Sequence, residues 1–335
     1  MSPSTARSRS WQSRDDTRRI QALARSRFDR DWPATRFHPG DLDWWVVGTV
    51  GRPHAVAELV RLWFTGDQAA AGAEAAAPGA PTADDAPPAA FGWFSPPGDL
   101  DYLIESDEPE DITRLLAEIV AWAEGRREAL GGREVGPLRV WASTADAAGT
   151  AALAALGFEL EQKPGFVHFT GELAVADGWP AAVLPEGLAI RPLDPDRDVE
   201  ARVVCGWAAF PGSTNSVERY RSTFDAWLYR PDLDHVVVTD EGRVVAFALG
   251  WYDPALRAVE LEPVGVHPEW HGRGLGREIC RSTLRAARAL GATRAVIAAE
   301  RSNPAAMGLY ASLGLTVTTD ILPFIQPPTA VAPVG

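Results

Sequence analysis

The chain has 335 residues, 46% hydrophobic and 23% charged, with 32 Lys and Arg against 45 Asp and Glu. This is ordinary globular composition, long enough for two domains of about 100–200 residues, and it excludes a fibrous or wholly disordered polymer. The net charge of −13 argues against nucleic acid as a partner, because phosphate binding needs a basic surface.

The chain opens on MSPSTARSRSWQSR, which is basic but carries no apolar run and does not read as a secretory leader. No stretch of about 18 apolar residues occurs anywhere, so no membrane-spanning helix is expected. Cys205 and Cys280 stand outside any CxxC or Cys/His cluster, which points to small core residues, a reducing cytoplasm and no metal centre. His38, ahead of Pro39-Gly40, reads as a loop residue. Eight of the thirteen tryptophans fall in the first half, Trp44 and Trp45 among them, and read mostly as core. Residues 54–64 and 91–105 read as strands. Between them, residues 69–90 are rich in Ala and Pro with almost no large apolar side chain, and are expected to form a mobile hairpin loop. Residues 99–111 carry seven acids and no base, a solvated loop and helix start.

Residues 176–187, rich in Pro and Gly, read as a linker. The expected domains are therefore 1–178 and 179–335. After the linker come a strand at 188–193, helices at 199–210 and 217–229, strands at 235–239 and 243–251 joined by Asp240-Glu241-Gly242, and a strand at 258–266. A helix follows at 275–290, with Leu275, Ile279, Thr283, Ala286 and Leu290 on one stripe. Then come a buried strand at 293–299, a helix at 304–313 and strands at 315–319 and 321–325. The order is α/β, with a mixed sheet that is antiparallel first and parallel in the middle. The chain also looks duplicated. RVWASTADAAGTAALAALGFEL, from Arg139, matches AVIAAERSNPAAMGLYASLGLTV, from Ala295, with Gly157 against Gly314.

The most informative segment is ELEPVGVHPEWHGRGLGREIC, residues 260–280. Gly272, Gly274 and Gly276 strip side chains from the turn just before a helix, so backbone N–H groups and the helix dipole can converge on a phosphate. Arg273 adds positive charge beside them. Glu260 and Glu262 alternate onto one strand face, suited to taking a proton from an amine. Pro263 and Gly265 predict a bulge.

On the run His271-Gly272-Arg273-Gly274-Leu275-Gly276, with Asn303, Ala306 and Tyr310 downstream, residues 188–326 resemble the GNAT superfamily of acetyl-CoA-dependent N-acyltransferases. The family's pyrophosphate signature, (Arg/Gln)-x-x-Gly-x-(Gly/Ala), is met at Gly274 and Gly276, while His271 replaces the usual Arg or Gln. The resemblance implies acetyl-CoA as cosubstrate, held at residues 271–276, along the Val264 and Val266 backbones, and at Asn303 and Ala306. It implies Glu262 as general base, or Glu260 through water, and Tyr310 as the acid that protonates the leaving thiolate. It also implies two tandem copies, a layout similar to the mycothiol-synthase type. The first is degraded, with Leu153 aligned to Tyr310 and Asp111-Ile112-Thr113-Arg114-Leu115-Leu116 at the place of the glycine loop. Ser213, Thr214 and Asn215 are candidate acceptor contacts. The expected partners are acetyl-CoA and a small amine, in a monomer or homodimer. A non-catalytic acyl-CoA sensor is the alternative from another class.

Overall fold

The computed structural model describes residues 7–65, 87–131, 136–173 and 183–327. The core of the predicted loop, 69–86, and residues 176–182 of the predicted linker lie outside the described residues. In chain order the elements are β1 (Arg7–Ser10), α1 (Arg14–Asp31), α2 (Pro39–Thr49), α3 (Val56–Leu59), β2 (Val60–Phe64), β3 (Ala90–Ser95), β4 (Asp99–Ile104), α4 (Pro109–Gly131), β5 (Arg139–Ser143), α5 (Ala147–Ala155), β6 (Glu159–Leu160) and β7 (Phe166–Glu172). They continue with β8 (Leu188–Pro192), α6 (Val199–Ala209), α7 (Val217–Ser222), β9 (Asp234–Thr239), β10 (Val244–Asp253), β11 (Ala258–Val266), α8 (Leu275–Ala289), β12 (Arg294–Glu300), α9 (Pro304–Ala311) and β13 (Thr316–Ile325).

The chain forms two compact units, one of residues 1–27, 54–165 and 319–335, the other of 28–53 and 166–318. In the first the strand order is β1-β2-β3-β4-β5, with the 319–325 portion of β13 pairing antiparallel to β5. In the second it is β8-β9-β10-β11-β12, with β7 antiparallel on β12. Each unit thus has an antiparallel run, one parallel pair (β4 with β5, β11 with β12) and an antiparallel closing strand. The repeated order matches the duplication seen in the sequence. The closing strands are exchanged: β7 comes from before the linker and serves the second unit, while β13 comes from the end of the chain and serves the first. A single cut between 178 and 179 therefore does not describe the compact units, since residues 28–53 also join the second.

The local reasons are short-range. Gly242, at φ +82°, closes the β9–β10 turn, and Gly291, at φ +104°, ends α8. Helix α8 buries Leu275, Ile279, Cys280, Thr283, Leu284 and Ala287 against β10, whose ten residues are all buried. The other face of β10 is covered by α6 and α2. Four elements differ from expectation. Residues 99–104, at the start of the acidic stretch read as a solvated loop and helix start, form the strand β4 with Leu100, Tyr102, Leu103 and Ile104 buried. Residues 54–64 begin with the single turn α3, whose Glu58 carboxylate accepts from the Ala55 N–H, and only then become β2. The predicted helix at 217–229 stops at Ser222 and passes through a 3₁₀ turn, Thr223–Asp225; further on, the Leu228 N–H donates to the Asp43 carboxylate on α2 at 2.9 Å. The two short strands expected at the end are one, β13.

Candidate active site

The site is built on β11. Its register on β10 runs Ala246↔Val266, Phe247↔Gly265 and Ala248↔Val264, then shifts to Gly250↔Leu261. Leu249 therefore faces both Glu262 and Pro263, the bulge that proline and glycine predicted. The His267 N–H donates to the Val245 carbonyl at 2.9 Å, which fixes the alternation. Gly265 bonds towards β10, whereas the N–H and C=O of Val264 and Val266 point to the opposite edge. Among the described residues that edge has no strand partner beyond Glu260, because β12 follows β11 only from Ala258 to Glu260, and the Val266 carbonyl there meets His271 Nε2. Gly265 is glycine for a packing reason as well: a Cβ there would fall inside the Phe247 ring.

The turn after β11 leads into α8. Gly272 and Gly274 have φ of +75° and +79°, and Gly274 is the helix N-cap. A Cβ on either would meet nothing within 4 Å, so this side of the turn is bare and open. The first-turn amides of α8 have no intrahelical acceptor, by helix geometry, and Gly274 uncovers them. Gly276 serves a different end: its Cβ would press on Leu309 Cδ2 at 3.2 Å, so the missing side chain lets α8 and α9 approach. The Arg273 guanidinium lies over the Trp270 ring at 4.5 Å, on the exposed rim. Leu275 points into the core. The departure at His271 has a structural account, since its Nε2 meets the Val266 carbonyl at 3.0 Å and ties the turn to the strand. Asn303 caps α9 through Oδ1, which accepts from the Ala306 N–H at 3.1 Å, and Ala306 packs on the core.

Glu260 and Glu262 do share a face, and sequence reasoning missed what meets them there. His38 is no loop residue. It is the N-cap of α2 and wholly buried, with Pro39 at the first helical position and Asp41 at the third. The Gly40 N–H donates to His38 Nδ1 at 3.0 Å, so the ring proton sits on Nε2, 3.3 Å from the Ala258 carbonyl. The Asp41 carboxylate accepts from the His38 backbone N–H at 2.8 Å, completing a capping box. This turn delivers Asp41 to the glutamates: oxygens of Asp41, Glu260 and Glu262 lie within 4.8 Å of one another. Burial, and then the charge of Glu262, hold Glu260 well above the usual carboxylate range. Burial, then the charge and hydrogen bond of Asp41, push Glu262 up to about 8, against an opposing hydrogen bond from Trp44. Glu260 is 1% exposed, while Glu262 keeps part of its surface towards solvent. The Trp251 indole N–H donates to the Glu262 carbonyl at 2.7 Å and anchors the bulge. The readable signal was His-Pro-Gly-Asp itself, a cap, a proline and an acid three residues on.

Tyr310 stands on α9, buried, with its ring edge-on to Phe169 at 5.6 Å. Burial and the neighbouring Cys280 and Glu262 hold its hydroxyl protonated far beyond its ordinary range. Ser213, Thr214 and Asn215 are engaged in the turn between α6 and α7. The Thr214 hydroxyl accepts from Arg52 and Arg219, and the Asn215 carbonyl accepts from the Trp207 indole. Cys205 and Cys280 are buried free thiols pushed up to about 11 and 12, fitting core residues and not nucleophiles. Among the described residues no helix is long and apolar enough to cross a membrane.

Comparison with known proteins agrees with this geometry. Residues 205–315 match the profile of the Acetyltransferase (GNAT) family. A mycothiol acetyltransferase of Thermomonospora curvata is 30% identical over 205 residues, 60% of this chain and 67% of that one. The chain belongs to the GNAT acetyltransferase family. GNAT enzymes bind acetyl-CoA and an acceptor. A mycothiol acetyltransferase of Saccharomonospora viridis is 32% identical over 155 residues, covering 43% of this chain and about half, 51%, of its own length. A GCN5-related N-acetyltransferase from Sphaerobacter thermophilus superposes with a TM-score of 0.61 at 17% identity, covering 96% of each chain, and shares the fold.

Proposed function

We propose that the chain is an acetyl-CoA-dependent N-acetyltransferase acting on a primary amine of a small molecule, with the chemistry in the second compact unit, residues 28–53 and 166–318. The observation that carries this reading is the bulge in β11. It turns the Val264 and Val266 amides to the edge that β12 leaves unpaired, beside the buried Glu260 and the part-buried Glu262 and just before a bare helix N-terminus. The fit is good for a long anionic thioester: residues 271–276 would hold its pyrophosphate, with Arg273 adding charge, and the β11 edge would take its amide-bearing arm as an added strand. Asn303 and Ala306 would flank that arm.

Bound acetyl-CoA supplies the thioester carbonyl carbon that the amine attacks. The Glu260–Glu262 pair takes the proton the amine gives up, with Glu262 the outer member. A base near 8 is well matched to an amine at ordinary pH. An amide of Val264 or Val266 donates to the carbonyl oxygen as it gains charge, a contact of a kind worth about 3 kcal/mol when removed elsewhere. Tyr310, held protonated, gives its proton to the sulfur as the carbon–sulfur bond breaks. The products are an acetamide and free CoA. The relatives' name makes a mycothiol-type cysteinyl sugar amine the first acceptor to try.

The test is calorimetric titration with acetyl-CoA and CoA, followed by thiol release over a panel of amines. One-to-one binding and thiol release with at least one amine are expected. No binding at millimolar ligand would remove the proposal.

A further inference from the structure

Three carboxyls meet here from two remote stretches of sequence, Asp41 from the first turn of α2, and Glu260 and Glu262 from β11. Carboxylates this close in a buried site cannot all carry charge, so protons must be shared among them. The three are not equivalent. Asp41 is fixed from one side, where it accepts from the His38 N–H at the helix N-terminus, a place that favours the ionised form. Glu260 has an Oε2 with no hydrogen-bond partner, lying 3.5 Å from His38 Nδ1, an atom already accepting from Gly40. Nothing on that side therefore fixes its charge. Glu262 is tied to Asp41 and Trp44 and is the member that reaches solvent.

We propose that Asp41 is a positioning residue for the catalytic base: its carboxyl shares a proton with the Glu260–Glu262 pair and sets the pH at which Glu262 becomes free to accept one. The inference rests on the reading of that pair as the base. The titratable groups that bear on Glu262 are Asp41 and, at the cap of the same helix, His38; Glu260 on its own strand; and Tyr310 on α9. Beyond burial, the negative charge that raises Glu262 comes from Asp41: His38 holds its proton on Nε2, Tyr310 keeps its own, and Glu260 is itself held well above the usual carboxylate range. Helix α2 thus lends a carboxyl to a reaction whose other residues lie more than 200 positions later in the sequence.

The test is Asp41→Asn, whose amide oxygen can still accept from the His38 N–H. Its amide N–H₂ can in turn donate to ionised Glu262. Both changes favour the ionised glutamate. The acidic limb of kcat/KM is expected to move down by about one pH unit or more, with the KM for acetyl-CoA unchanged. A limb that stays where the unsubstituted enzyme has it would overturn the proposal. The same shift is readable without turnover, by infrared titration of the carboxyl band that Glu262→Gln removes. If no amine is acetylated, the functional reading fails, and the infrared shift alone judges Asp41. If Asp41→Asn does not fold, the unsubstituted protein still decides: a Glu262 band that ionises below about pH 5, as a free glutamate does, would overturn the idea.

Discussion

The glycine turn offers the sharpest test, because the structure supplies a matched control. Gly274 sits at φ +79°, ψ 1° at the start of α8, and Gly242 sits at φ +82° in the β9–β10 turn. A Cβ on either would meet nothing within 4 Å. Alanine at each position therefore carries the same cost, the left-handed backbone strain of an L-residue, about 1–2 kcal/mol. For a unit of this size that lowers Tm by roughly 2–4 °C per kcal/mol. The two should part company in CoA binding. A methyl group at 274 projects from the bare side of the turn, where the phosphates would approach, while one at 242 projects from the β9–β10 hairpin. Losing one charge-assisted hydrogen bond to a phosphate costs about 1.5–3 kcal/mol, roughly ten- to a hundredfold in Kd. Denaturation and calorimetric titration of Gly274→Ala and Gly242→Ala give both quantities. Equal stability losses with weakened binding only at 274 are expected. Equal Kd values in the two variants would refute the assignment of the phosphate to this turn.

Tyr310→Phe keeps the ring against Phe169, so Tm and CoA affinity should hold while kcat falls by about a hundredfold or more; unchanged turnover would take Tyr310 out of the acid role. The raised glutamates make a stability prediction whose sign is fixed. Glu262 binds its proton more tightly folded (about 8) than free (about 4.5), so the folded state holds more protons between those values and stability falls as pH rises through that window. Glu262→Gln should therefore flatten the loss of Tm from pH 5 to 9, and an unaltered slope would contradict a protonated Glu262. Gly265→Ala forces a methyl group into the Phe247 ring and should cost about 1–3 kcal/mol in urea denaturation, with Phe247→Leu recovering part of it. A second substitution that adds its full independent cost would show that the two residues do not press on each other.

What the sequence disclosed and what it hid divide along range. The β9–β10 turn, the α8 stripe, the bulge at Glu262-Pro263 and the left-handed glycines are written in a few neighbouring residues, so periodicity and turn chemistry find them. Tyr310 and Asn303 follow from the family resemblance, since spacing alone reads them as a core aromatic and a helix cap. The strand exchange is invisible to that reasoning, since β7 and the end of β13 have the composition of any half-buried strand and nothing local says which β-strand they join. The same holds for α2. His38 and Ala258, which touch, are 220 residues apart, and a capping box looks alike whether its helix faces solvent or a pair of glutamates. The isolated reading of His38 as a loop residue came from seeing Pro39-Gly40 as a turn when they are the first turn of a helix.

The duplicated unit bears on the proposal that the chemistry belongs to one copy. Strands β3 and β4 correspond to β10 and β11, but their register runs unbroken from Ala90↔Ile104 to Ser95↔Asp99. Without a shift, no side chain is re-aimed along the strand. Helix α4 corresponds to α8, yet it begins with Pro109, Glu110 and Asp111, so the positive end of its dipole is already answered by its own acids. An approaching phosphate would meet carboxylates where α8 offers bare backbone. On α5, Leu153 is wholly buried where α9 carries Tyr310. Each change by itself leaves the fold intact, because none touches the strand order or the helix stripes. Together they remove the bulge, the anion seat and the proton donor that the proposed mechanism uses. The fold needs only the periodicity that both copies keep. The proposed reaction needs a bulge, a bare helix start and a buried hydroxyl at fixed points upon it, and among the described residues β11, α8 and α9 carry them.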